Sequence, residues 1–121
     1  MNIRLSPDLI RIRLSQTEAT ELSGMSSISE TFFLDTEYSV KLQVSLHDEN
    51  SMKWRIHHAP KNEFAIWNCS IPQDGFRVLL NGTLKKDASI TTEIQLSGGE
   101  RLTIVIEVDI WDEEKRSKAK R

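Results

Sequence analysis

The stretch ITTEIQLSGGERLTIVIEVDI, residues 90–110, decides the fold class. Ile90, Thr92, Ile94 and Leu96 fall on one side of an extended chain, with Thr91, Glu93 and Gln95 on the other. After Ser97-Gly98-Gly99-Glu100 the pattern returns as Leu102, Ile104, Ile106, Val108 and Ile110. Period-two alternation on both sides of a Gly-Gly turn predicts an antiparallel hairpin with one buried face. A buried face needs a partner layer, so the rest of the chain must supply more sheet or helix.

Working outward, Tyr38, Val40, Leu42, Val44 and Leu46 alternate with Ser39, Lys41, Gln43, Ser45 and His47. A polar turn, His47 to Ser51, leads to a return strand with Met52, Trp54 and Ile56 on one side. Ala59 to Asn62 turns again, and Phe64 to Ser70 is a further strand. Connections this short predict an antiparallel meander. Upstream, Leu9 to Leu14 alternates Ile10, Ile12 and Leu14 with Arg11 and Arg13, and runs into Ser15-Gln16-Thr17-Glu18, a capping box. A helix over Gln16–Ser23 follows, with Gly24 placed to close it in the left-handed conformation. Ser27 to Leu34 is rich in β-branched and aromatic residues and reads as strand. Pro72 and Gly82 bracket a second short helix with Phe76, Leu79 and Leu80 as its apolar stripe. No internal repeat is visible. The expected fold class is α+β: a mostly antiparallel curled sheet, barrel-like or two-layer, of about seven strands with one or two short helices. Val40, Leu42, Val44, Trp54, Ile56, Ile104, Ile106 and Val108 are expected to form its main core.

The chain has 121 residues, 38% hydrophobic and 28% charged, with 5 Gly and 3 Pro. A domain of that size hides roughly two-thirds of its unfolded surface and can hold a core without metals or disulfides. Sixteen Lys and Arg against 18 Asp and Glu give a formal charge of −2, which argues against dedicated nucleic-acid binding. Residues 112–121 carry 5 basic and 3 acidic groups, so the body holds 11 basic against 15 acidic, or −4. A single β-rich domain over 1–111 with a basic, disordered tail over 112–121 is expected. One cysteine, Cys69, excludes an internal disulfide and points to a cytoplasmic setting. Arg, Ser or Asp breaks every early apolar run, so neither a signal peptide nor a membrane span is expected. The acceptor-like tripeptides at Asn68 and Asn81 are then coincidental.

The opening Ile3-Arg4 and the run Leu9 to Glu18 followed by Leu22 resemble an uncharacterised family of small bacterial proteins, a domain of unknown function. Members open with a basic alternating strand and a helix start similar to TQSE. The final strand, Leu102 to Ile110, resembles that family's closing strand, and Ile71-Pro72 sits where its second helix starts. The resemblance implies this order of elements and carries no activity. Members continue into a cysteine-containing segment with an acidic end, whereas this chain passes Trp111 into a basic tail.

Catalysis needs a nucleophile, a base and an orienting group brought together, and the three histidines all lie between His47 and His58. Cys69 meets His58 only if their strands pair in that register; otherwise it is a small buried thiol. His57 and His58 point to opposite faces of a strand and cannot share one metal ion, so no metal or other cofactor is expected. The polar strand faces are basic: Arg11 and Arg13, Lys41, and Lys53 with Arg55. Side by side they form an anion-binding surface; apart, they are solvated faces paired with Glu93, Glu107 and Asp109. Trp54, Trp67 and Trp111 require either a sheet covered on both faces or a contact surface. The expected function is a small non-catalytic binding or interaction domain. The alternative is an enzyme or sensor holding a phosphorylated or other anionic ligand on the basic strand faces. An anionic small molecule or a protein is the expected partner, with homo-oligomerisation open.

Overall fold

The computed structural model of the chain describes residues 1–58, 64–81 and 89–109. The elements run β1 (Asn2–Ser6), β2 (Leu9–Ser15), α1 (Gln16–Met25), β3 (Ser27–Phe33), β4 (Ser39–His47), β5 (Lys53–His58), β6 (Phe64–Pro72), α2 (Gln73–Asn81), β7 (Ser89–Gln95) and β8 (Arg101–Asp109). The turn expected at 59–62, the helix end at Gly82, Trp111 and the tail at 112–121 lie outside the described residues.

The eight strands form two four-stranded sheets, with orders β1-β2-β8-β7 (sheet A) and β3-β4-β6-β5 (sheet B). The α+β class and the two-layer arrangement hold, and the sheets do not close into a barrel. Each sheet is two antiparallel pairs joined by a central parallel pair, β2 with β8 and β4 with β6. The meander expected from the short turns is therefore corrected: β5 pairs with β6 and lies on the far side of it from β4. A short loop makes consecutive strands antiparallel but does not make them neighbours. Skipping one strand requires about 10 Å, and the five residues between β4 and β5 can reach about 16 Å. The β7–β8 hairpin forms as expected, with Thr92 opposite Ile104, Ile94 opposite Leu102 and Gly99 at φ 84°. Strand β1 is an eighth strand beyond the seven expected, pairing Ile3 with Ile12 and Leu5 with Ile10.

Helix α1 starts on the expected capping box. Ser15 Oγ accepts from the Glu18 amide at 3.1 Å, and the Glu18 carboxylate accepts from the Ser15 amide at 3.0 Å. Two donors that the first turn leaves without helical partners are thereby satisfied. The helix does not stop at Gly24; it runs to Met25, and Ser26 takes the left-handed turn at φ 66° while its amide donates to Leu22 O. Glu18 and Glu30 also hold the Met1 ammonium, at 2.7 and 3.2 Å. Helix α2 begins after Pro72, whose fixed φ and missing N–H suit a helix start, and buries Phe76 and Leu79.

The inner faces of both sheets and both helices share one core. Val40, Leu42, Val44, Ile104 and Ile106 are buried as expected, and Trp54 and Val108 pack against the cluster. Ile56 is corrected: it is 46% exposed. It lies on edge strand β5, and none of the described residues covers it fully.

Exchange of β1–β4 with β5–β8 maps the order of sheet A onto that of sheet B, so the chain is two ββαββ halves with one plan. In the parallel pairs, Ile10 opposite Ile104 and Ile12 opposite Ile106 correspond to Trp67 opposite Leu42 and Cys69 opposite Val44. Ala19 and Leu22 of α1 correspond to Phe76 and Leu79 of α2, each pair spaced by three on a buried face. A repeat is thus present in the fold although none is visible in the sequence.

Candidate functional site

Successive strand residues face opposite ways, so each sheet has one face in the core and one outside it. The five cations of the basic strand faces divide accordingly. Arg11 and Arg13 stand on the outer face of sheet A, and Lys41, Lys53 and Arg55 on that of sheet B. They do not share one surface, because the two sheets pack core to core.

On sheet A one carboxylate stands between the cations; it bonds Arg13, while Arg11 Nε has no hydrogen-bond partner among the described residues. Arg13 Nε donates to Glu107 Oε1 at 2.9 Å, and Arg11 Nε lies 3.9 Å from the same oxygen. Glu107 reaches both because β8 lies directly beside β2, with Arg13 opposite Glu107. The crevice between Asn2, Arg4, Arg11 and Arg13 has no room for a water-sized group.

On sheet B the register sets Ser45 beside Ser70 beside Lys53 in one row, and Gln43 beside Asn68 beside Arg55 in the next. The two serine hydroxyls are 3.3 Å apart. The position that Glu107 holds in sheet A is held here by Ser45, so no strand carboxylate neutralises Lys53 and Arg55. These two cations, with His47, Glu49, His57, Asn68 and Ser70, line a cleft of about 310 Å³. Lys41 is opposite Ile66 in a third row and is not part of it. The sequence reading therefore placed two of five cations at the cleft, and missed His47, His57, Asn68 and Ser70. Strand alternation marks Asn68 and Ser70 as outward-facing, but only the order β4-β6-β5 places them beside Lys53 and Arg55.

Two polar atoms of this lining are buried and have no hydrogen-bond partner among the described residues: His47 Nε2 and Asn68 Oδ1. The Glu49 amide donates to His47 Nδ1 at 3.3 Å. In the neutral ring that leaves the proton on Nε2, a donor facing no acceptor. Asn68 Oδ1 is an acceptor facing no donor. Glu49 reaches over from the β4–β5 loop to pair with Lys53, and the ammonium holds the Glu49 carboxyl below the usual carboxylate range. Both partners are largely solvent-exposed, so this contact is weak and exchangeable.

The other candidates resolve differently. Cys69 is fully buried, its β5 neighbour is Trp54 rather than His58, and burial pushes its thiol up to about 12. A protonated thiol in the core is not a nucleophile. Trp54 and Trp67 both pack on the core and meet edge to face, with ring centroids 5.9 Å apart. Among the described residues no group of three His, Cys, Asp or Glu side chains is placed to hold a metal ion, and no helix is long and apolar enough to cross a membrane. No protein-family model, no curated protein and no solved structure matches the chain.

Proposed function

We propose that the protein is a binding domain rather than an enzyme, and that it takes a small anionic ligand in the cleft on the outer face of sheet B. The observation that carries this reading is the contrast between the two sheets: Glu107 bonds Arg13 and lies near Arg11, whereas Lys53 and Arg55 line an open cleft in which, among the described residues, the one carboxylate is Glu49 of a loop, paired with Lys53. A phosphate or carboxylate there gains charge-assisted hydrogen bonds from two cations and from His47 Nε2. Its displacement of Glu49 from Lys53 costs little, since that pair is exposed.

The same proposal sets the protein in a bacterial cytoplasm. The resemblance of Leu9 to Glu18 to an uncharacterised bacterial family supports the source, and the order of elements, with α2 starting just after Ile71-Pro72, fits it. A single, buried thiol supports a reducing compartment.

Thermal unfolding with added inorganic phosphate tests the site. A ligand at 100 times its dissociation constant adds about 2.7 kcal/mol to stability. The upward shift is expected to vanish in Lys53→Ala with Arg55→Ala and to survive Arg11→Ala with Arg13→Ala. The reverse pattern overturns the assignment to sheet B.

A further inference from the structure

We propose that the ligand is a phosphomonoester of a sugar or nucleoside, with its phosphate on Lys53 and Arg55 and its hydroxyl-bearing body in a second, larger cleft. This rests on the anion reading above. The second cleft, of about 600 Å³, opens where the β4–β5 loop, the first turn of α2 and strand β7 meet. His47 and Glu49 line both clefts, so a ligand held in one extends into the other over a single shared wall.

The volume falls within the range of small-molecule sites, roughly 300–1,000 Å³, and far exceeds what a lone phosphate fills. Its surface is mixed in a way that suits a polyol ring. Met52, Pro72 and Ile90 supply apolar area, and Asn50, Gln73 and Thr92 supply neutral hydrogen-bonding groups. Asp48 and Asp74 accept from hydroxyls and repel a second phosphate, which limits the ligand to one strongly anionic end. The unpartnered atoms of the shared wall and the basic cleft ask for the same chemistry. His47 Nε2 needs an acceptor and Asn68 Oδ1 needs a donor, and a phosphate next to a hydroxyl provides both.

The two halves of the fold show why this space is open. In the first half the corresponding positions are Glu18 and Glu30, which close on the Met1 ammonium. In the second they are Gly75 and Thr92, and a Cβ at position 75 would still lie 3.8 Å from its nearest neighbour, Pro72 Cβ. Small residues stand where the first half holds its ion cluster, and they leave room.

Calorimetric titration of the full chain with inorganic phosphate, ribose 5-phosphate and adenosine 5′-monophosphate tests the proposal. At least one ester is expected to bind about tenfold or more tightly than phosphate, and the larger gain tells whether the cleft takes a sugar or a nucleoside. Ser51→Trp fills the second cleft from an exposed position, so it does not disturb the core. It should abolish the ester's advantage and leave phosphate binding unchanged. A phosphate site that depends on Lys53 and Arg55, but that both esters occupy no more tightly, overturns the extended ligand alone. Phosphate binding indifferent to Lys53 and Arg55, or no binding of any probe at millimolar concentration, overturns the anion site with it.

Discussion

Glu107 in sheet A and Ser45 in sheet B stand at equivalent places, each two positions before the last pair of its central parallel ladder and on the outer face. The carboxylate stands between Arg11 and Arg13 and pairs closely with the second, beside a crevice with no room for a water-sized group. The hydroxyl reaches only Ser70 and leaves an open groove edged by Lys53 and Arg55. Facing inward, the same two sheets agree in character: Ile10, Ile12 and Leu14 correspond to Trp67, Cys69 and Ile71, with Ile104 and Ile106 matched by Leu42 and Val44. The difference teaches that packing constrains the inner positions to be apolar and complementary in volume, while the outer positions answer to solvent and ligand. One plan has thus been finished twice, once with a carboxylate among the outer cations and once without.

The strongest test of the inner equivalence is truncation at matched positions. Ile104→Ala and Leu42→Ala each remove side-chain volume from fully buried sites and should each cost about 2–5 kcal/mol in denaturant titration. A loss below about 1 kcal/mol in one half only would show that the two halves do not share the core equally. The outer contrast is broken by adding the missing carboxylate. Ser70→Glu puts an acid directly opposite Lys53, and phosphate should bind about tenfold more weakly by calorimetry. Unchanged phosphate affinity would remove sheet B from consideration.

The two helix starts offer a smaller effect. Ser15→Ala breaks the capping box of α1 and should cost about 1 kcal/mol in chemical unfolding. The corresponding position in α2 is Pro72, which has no side-chain cap to lose. The smallest expected effect is in acid. Burial alone raises the Glu18 carboxyl, but hydrogen bonds from the Met1 ammonium and Ser15 outweigh it and hold the group below its ordinary value. A carboxyl depressed in the folded state stabilises at neutral pH, and that stabilisation is lost as pH falls through the carboxylate range. Glu18→Gln should therefore flatten the acid limb of the stability profile, measured as midpoint against pH, and leave the slope near neutrality unaltered.

Local elements were legible wherever one residue type answers one local requirement. Ser15 and Glu18 announce a helix start by their spacing, and the alternation through Leu42 and Ile104 marks strands with one buried face. The stop of α1 lies two residues beyond the expected Ser23, because Gly24 tolerates a helix interior in open space and the left-handed turn falls to Ser26. For the site, outward-facing Lys53 and Arg55 were visible, but their separation from Arg11, Arg13 and Lys41 was not. Strand alternation states which residues share a face of one strand and is silent on which strands lie side by side.

The sequence by itself determined the α+β class, seven of the eight strands, both helices, the apolar identity of most inner positions and the cations available outside. Tertiary structure alone decided the parallel pairs β2–β8 and β4–β6, and with them the doubled plan and the open cleft. Those pairs join segments as far apart as Ile10 and Ile104, and any apolar alternating strand could fill such a place in the sheet. The choice between them is made by how two whole sheets and two helices close one core, a property of the assembled chain that no local pattern carries.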